Sequence, residues 1–561
     1  MPHLLLGPLL RYVSDTEATI WVETDAPCEV TVLEATARTF AVGGHHYALV
    51  ILDGLQAGST LPYEVHLDGV ASWPPPGDPY PQCLIRTHTH DASLRLAFGS
   101  CRVSVPHTKP YCLSKDDDPR GREVDALLAL VERMRHEPSA EWPDALLLLG
   151  DQVYADEVSP DTKAFIASRR GPGGAPPDEV GDFEEYTALY RESWSDPALR
   201  WLLSTVSSAM IFDDHDVHDD WNTSEAWIAQ MRAKPWWEER ILGAYMSYWI
   251  YQHLGNLSPA RLYDDPTFCA VQEADGDCEE LVRDFARTSA REIAGVRWSF
   301  AREFGRTRLV VLDSRAGRVL AEGRRQMLSD REWEWAEDVC SGDFDHLLIG
   351  TSLPVMLAPG MHHFEAWNEA VCDGAWGGLA ARIGEKIRQG FDLEHWAAFE
   401  GCFNRLAVLL EDVAAGRRGS APATIVLLSG DVHHAYLAEA WFPGRAVESR
   451  VLQATCSPIR NPLDKRERRL LRSAFTRPVA ALARRLARAA GVAPQPMRWT
   501  FAQEPTFDNQ IARLDVRGRT AQLLIEKTLP EDWQAPRLHP ILSLGVEPKR
   551  AAPARDPAAT R

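Results

Sequence analysis

Between Leu94 and Asp431 one pattern recurs six times: a short apolar run that stops abruptly on polar, chemically capable residues. The runs are "LRLAFGSC", "DALLLLGD", "AMIFDDHD", "RLVVLDSR", "HLLIGTS" and "TIVLLSGD". A run apolar on both faces suits a strand covered on both sides. Helical stretches such as "REVDALLALVERMRHE" and "DREWEWAEDVC" lie between several of them. Strands alternating with helices predict an α/β core. In open α/β sheets, ligands gather beyond the carboxyl ends of the strands. The residues at those ends are Cys101, Asp151, Asp214, Asp313, Ser352 and Asp431. Contact with water explains polar strand ends, but it explains the recurrence of Asp, Cys and His poorly. One shared site is expected.

A chain of 561 residues is too long for one ordinary core, so two or more domains are expected. Residues 1–90 predict a small all-β sandwich of the fibronectin or immunoglobulin type. There "EATIWVET", "CEVTVLEA" and "LPYEVHLDG" cluster β-formers between Gly, Asp and Pro turns. The α/β region is expected over 91–530, with a loop at 171–182 and a basic, partly amphipathic helical segment at 465–491. "FDNQIARLDVRGRTAQLLIEKTL" predicts two strands around an Arg-Gly turn. A C-terminal extension follows over 531–561, its tail "KRAAPARDPAATR" expected to be disordered. The opening "MPHLLLGPLLRYV" reads as a first strand rather than a signal peptide, and no stretch is long and apolar enough to span a bilayer. Ten scattered cysteines without a CxxC pair predict reduced, mostly buried thiols and a cytoplasmic location. The net charge of −20 argues against general nucleic-acid binding, though not against a phosphorylated substrate held by metal.

The densest candidate is "FDDHDVHDDWN", which holds Asp213, Asp214, His215, Asp216, His218, Asp219 and Asp220. An acidic cluster is most often a solvated loop. This one follows a buried run and contains histidines. Packed carboxylates raise each other's pKa unless a cation neutralises them, so multivalent metal ions are expected, with some aspartates binding a further hard ion or orienting the ligands. In "GDQVYAD", Asp151 is placed to bridge two cations, and Tyr154 is either a phenolate ligand or a packed tyrosine. "SGDVHHA" offers Asp431 and His433, with His434 the weaker candidate. Cys101 is a nucleophile, a thiolate ligand or a filler, and the ligand reading is preferred because the histidines are committed elsewhere. Arg315 clamps a phosphate or pairs with Asp313. "MHHFEAWNE" adds weak candidates in His362 and His363, and "KDDDPRGR" reads as a solvated loop.

Taken in order, GSC, GDxxY, DDHD and GDVH resemble the alkaline phosphatase D (PhoD-like) branch of the calcineurin-like metallophosphoesterases. The resemblance spans Cys101 to His433. It implies a four-layer α/β metallophosphoesterase sandwich preceded by the β-sandwich domain. It further implies that Asp151 bridges the metals, that Cys101, Tyr154 and His433 ligate Fe(3+), and that Asp214 and Asp431 serve Ca(2+). Mn(2+), Zn(2+) or Mg(2+) are the other metals of the superfamily. His215 corresponds to a histidine that assists the leaving group, and Arg315 to a phosphate-binding arginine. Three departures stand out: no twin-arginine signal is visible, the basic segment after Cys456 is not part of the pattern, and Asp219, Asp220 and Asn222 lie where relatives often carry asparagines.

The expected activity is hydrolysis of a small phosphate ester, with a hydroxide held by two cations attacking phosphorus in line and no covalent phosphoenzyme. The alternatives are a phosphodiesterase or phospholipase D-like hydrolase, or a non-catalytic metal- or membrane-binding protein in which 465–491 makes peripheral contact with lipid.

Overall fold

The computed structural model describes residues 1–90, 93–171, 173–292 and 296–549. All six apolar runs form strands: β1 (Leu94–Gly99), β2 (Ala145–Leu149), β3 (Ser207–Ile211), β4 (Thr307–Leu312), β5 (His346–Thr351) and β6 (Thr424–Ser429). They divide between two sheets. A six-stranded sheet runs in the order β3, β2, β1, then Gln510–Arg517, Thr520–Lys527 and His539–Val546. A seven-stranded sheet contains β4, β5 and β6 as consecutive parallel neighbours. The Arg-Gly turn joins Arg517 to Thr520, as its sequence predicts. The stretch read as a C-terminal extension supplies the edge strand His539–Val546 of the first sheet, and the tail from 550 lies outside the described residues.

Strand alternation explains the layering. Leu309, Val311, Leu348, Val426 and Leu428 share one core with Leu147 and Phe98 of the first sheet. The intervening Val310, Leu312, Leu347, Ile349, Ile425 and Leu427 pack into a second core with the helix Glu400–Ala414. On the far side of the first sheet, the helix Ala126–Met134 is capped by Asp125, whose carboxylate accepts from Leu127 N, and buries Leu127, Leu130 and Val131. The result is four layers, helices outside and two sheets within, as the resemblance implies.

The first part of the chain is all-β. Leu4–Val13, Ala18–Thr24, His45–Leu52 and Phe40–Val42 form one four-stranded sheet, and Ala35–Arg38, Glu29–Val32, Val65–Leu67 and Val70–Trp73 form another. This unit is tied to the rest by the buried Arg11. Its Nη1 and Nη2 donate to the carbonyls of Tyr251 (2.6 Å) and Gln252 (2.7 Å) in the π-helix Tyr248–His253.

Four further helices matter below: α1 (Pro359–Cys372), α2 (Gly378–Gly390), α3 (Lys465–Ala474) and α4 (Arg477–Ala489). Pro478 sits in the first turn of α4, where its missing N–H costs nothing. Among the described residues no helix is long and apolar enough to cross a membrane.

Candidate metal centre

Strand register brings the candidate residues together. Gly99 lies opposite Leu148 and Leu149 opposite Ile211, while Leu312, Thr351 and Ser429 align across the other sheet. The loops leaving these ends interlock. Cys101 N donates to Gly150 O (3.3 Å), and Asp431 N donates to Ser100 Oγ (2.9 Å) across the two sheets. Two glycines make the approach possible: a Cβ on Gly150 would stand 2.5 Å from Cβ of Asp213, and one on Gly430 would stand 2.1 Å from Ser100 Oγ. Cys101, Asp151, Asp431 and His433 all hold the left-handed backbone region, with φ of 58, 53, 65 and 51°. Such conformations cost free energy in residues other than glycine and gather at functional sites.

The carboxylates converge with too few donors. Ligand atoms of Asp151, Asp214 and His215 lie within 4.8 Å of one another, and so do those of Asp213, Asp214 and Asp431. Asp151 Oδ1, Asp213 Oδ2 and Asp214 Oδ1 are buried without a hydrogen-bond partner. Burial, followed by the charges of Asp214, Asp213 and Asp216, pushes Asp151 well above the usual carboxylate range, against the pull of His215. Asp214 is likewise raised by burial, against Arg315 and His215. Acceptor oxygens facing one another in a buried cleft form the donor set that hard cations neutralise, and the residues present fit such ions.

The remaining predicted ligands border this cluster. Cys101 Sγ lies 3.2 Å from the hydroxyls of Ser100 and Ser457 and 3.5 Å from the carbonyl of Asp431. Burial and then Asp151 and Asp431 push its thiol well up, so a thiolate there requires a neighbouring cation. Tyr154 donates to Asp151 Oδ2 (3.4 Å) and accepts from Asn461 Nδ2 (3.2 Å). His433 is half-buried. Desolvation lowers it to about 4 despite Asp431, which leaves a neutral imidazole. Its ring, like the Cys101 thiol, lies outside the two tightest groups. His434 turns away, its Nδ1 donating to Val432 O (2.6 Å) and its ring stacking on Tyr436 and Phe507.

His215 is oriented by a residue the sequence reading passed over: its Nδ1 lies 2.9 and 3.1 Å from the two oxygens of Asp156. Although burial opposes protonation, Asp156 and Asp214 raise His215 well above the ordinary imidazole value. The acidic run divides by task. Asp216 accepts from the backbone N–H groups of Asp151 and Asp213 (both 2.9 Å), tying two loops together. His218 packs among Trp227, Trp236 and Trp237. Asp220 N donates to Asp214 Oδ2 (3.1 Å), and burial followed by Glu394 and Asp392 pushes its carboxyl up to about 10.

Arg315 is enclosed by acidic partners. Its guanidinium is wholly buried, paired with Asp213 and with Glu394 (2.5 Å) and standing 3.3 Å from Asp214. It is a counter-ion beneath the carboxylates, not an open clamp for phosphate. The alternative pairing with Asp313 is not formed by its side chain either, because Asp313 accepts from the backbone N–H groups of Arg315, Ala316 and Gly317.

Glu394, His395 and Glu365 also carried no signal. His395 Nε2 lies 3.1 Å from Asp431 Oδ2 and its Nδ1 2.6 Å from Glu365 Oε1. His362 and His363 stay away from the cluster, the first against Phe403 and Trp499, the second against Arg484. The residue of "MHHFEAWNE" that reaches inward is Glu365, one helical turn on.

Residues 127–268 match the family model of the PhoD-like phosphatases, and residues 1–85 match a model described as a domain of unknown function, DUF7800. The fold is similar to a solved structure titled "Structure of PhoD", with a TM-score of 0.60 at 12% identity over 97% of this chain and 90% of that one. Comparison with curated protein sequences finds no match.

Proposed function

We propose that this chain, which carries a PhoD-like phosphatase region, is a metal-dependent phosphoric ester hydrolase. One observation carries the reading: Asp151, Asp213, Asp214 and Asp431 meet at the carboxyl ends of two facing sheets with buried acceptor oxygens that have no hydrogen-bond donor among the described residues. Asp151 would be shared between two cations. Cys101, Tyr154 and His433 are the ligands proposed for Fe(3+), and Asp214 and Asp431 those for Ca(2+). Bound cations supply a water molecule of lowered pKa and positive charge for the phosphoryl oxygens.

The chain's own groups do the rest. Asp156 holds Nδ1 of His215, which leaves Nε2 to deliver a proton to the departing oxygen. Asp156 and Asp214 favour the imidazolium form that this needs. Arg315 and His395 lie under the carboxylates and offset part of their repulsion before any cation binds. Asn461, donating to Tyr154, steadies a phenol whose proton must leave if it is to act as ligand.

The test is elemental analysis of the purified protein, paired with turnover of p-nitrophenyl phosphate and its bis ester. Bound metal with chelator-sensitive turnover of at least one ester is expected, and the ratio of the two assigns monoester or diester preference. A visible phenolate-to-iron absorption band is expected if Tyr154 binds iron. A colourless, iron-free and fully active protein removes that assignment, and a metal-free protein inert on both esters removes the hydrolase reading.

A further inference from the structure

Large apolar side chains are exposed together on one group of helices. On α2, Leu379 is 76% and Ile383 53% exposed; on α3 and α4, Leu470 is 65% and Leu482 60% exposed, with Val479 and Trp376 beside them. These helices are joined over α1. The small faces of α4 (Ala480, Ala483 and Ala487) are buried, and Trp376, preceding α2, donates to the carbonyl of Ala489 at the end of α4 (3.3 Å). Val479 and Leu482, three residues apart, stand on one face of α4. Exposed apolar side chains elsewhere, such as Leu33 and Tyr263, lie on other elements.

The charge around this face is opposite to that of the chain. Residues 465–489 hold nine basic side chains against Glu467 alone, in a chain of net charge −20. Some of the nine are used internally: Arg468 and Lys465 meet Asp116, Arg484 meets His363, and Arg472 lies over Phe507. Arg466, Arg469, Arg477, Arg485 and Arg488 are exposed and make no ion pair among the described residues. Leucines flanked by unpaired guanidinium groups suit the boundary between acyl chains and anionic headgroups. A twofold contact with a second copy would set the same cations against each other.

We propose that the α2–α3–α4 face docks on the surface of a bilayer rich in anionic lipid. The face adjoins the candidate metal centre: α3 begins at Lys465, Asn461 four residues earlier touches Tyr154 (3.2 Å), and Lys115 pairs with Glu467 of α3 (3.6 Å). A docked chain therefore holds its carboxylate cleft close to the lipid–water boundary, and this inference stands whether or not the chain is a phosphoesterase.

The test is co-sedimentation of the full chain with vesicles of pure phosphatidylcholine, or with about 30% phosphatidylglycerol, at ~0.1 and ~0.5 M salt. Binding is expected to the anionic vesicles alone and to weaken at the higher salt. Leu482→Asp, at an exposed position, and separately Arg469→Glu with Arg485→Glu, are each expected to lower the bound-to-free ratio by about tenfold, whereas Leu33→Asp leaves it unchanged. Circular dichroism and light scattering of each variant accompany the assay, and the charge pair tests the face even if Leu482→Asp misfolds. Absence of binding, equal binding to neutral vesicles, or indifference to both changes overturns the proposal. So does a wild-type dimer that Leu482→Asp converts to monomer, because the face then belongs to a second copy.

Discussion

Two groups of buried charge in this molecule are solved in opposite ways. Arg11 and Arg302 meet between the N-terminal sheets and the α/β region, and most of their partners are main-chain oxygens, with Asn256 Oδ1 and Ser207 Oγ at 3.4 Å. Arg11 reaches Ser208, Tyr251 and Gln252, and Arg302 reaches Arg11, Ser208 and Gly255. All three nitrogens of Arg11 find acceptors, although burial still pulls its pKa down to about 9. At the sheet edge the carboxylates are as buried, yet three of their oxygens have no donor. In the first group Arg302 Nε alone among the guanidinium nitrogens lacks an acceptor, whereas the second leaves three converging carboxylate oxygens open and is complete only with something added. Burial alone therefore does not mark a site. Like charges that converge with several oxygens lacking a donor do.

The comparison breaks most readily at Asp151. Asp151→Asn is expected to lower phosphate-ester turnover about 10³-fold, equivalent to ~4 kcal/mol in the barrier, with the unfolding midpoint of the metal-free chain unchanged or higher. Near-normal turnover with full metal content would place the bridging role elsewhere. At the other cluster the signs reverse. Arg11→Met is expected to cost about 3 kcal/mol in urea unfolding, because the carbonyls of Tyr251 and Gln252 lose their donor inside the protein. Metal content of the protein that still folds should be untouched.

Chelation separates the two more gently. Removing metal is expected to lower the thermal midpoint by a few degrees in the wild-type chain, through loss of the binding free energy, and by less in Asp151→Asn. The smallest effect concerns an anion outside both clusters. Burial first, then neighbouring Asp373 and Glu400, raises Glu369 to about 8, although Glu400 N donates to it (2.8 Å). The unfolded chain loses this proton near 4.5, whereas the folded chain keeps it until about 8. Stability from this group is thus full at low pH and is lost as pH rises through that window. Glu369→Gln should match the wild type near pH ~4 and exceed it by about 1 kcal/mol near pH ~9, read as the difference in unfolding midpoint at each pH.

The fold was legible because buried parallel strands need continuous apolar runs, and six of them are spaced through the chain. The strand-end residues were legible for the same reason: a loop leaving a strand has little choice about where its first side chains go. What could not be read came from elsewhere. His395 and Glu394 follow the end of α2 at a non-regular turn, Glu365 lies mid-helix, and Asp156 sits five residues past the strand-end Asp151. Each arrives through packing of distant segments, which leaves no local spacing to recognise. The surroundings of Arg315 were not legible because sequence shows a charge but not its burial; only the fold reveals that Asp213, Asp214 and Glu394 surround it.

The contact of Gly430 with Ser100 has a mechanical meaning. One sheet contributes Asp151 and Asp214, the other Asp431, and the two halves meet where a methyl group would overlap a hydroxyl. The gap between the halves is thus gauged by the Ser100 side chain against Gly430, with the Ser100 hydroxyl held in place by the N–H of Asp431 (2.9 Å). A substitution that thickens this seam would pry the acidic halves apart as a wedge does, changing which ions the cleft can span without altering a single ligand.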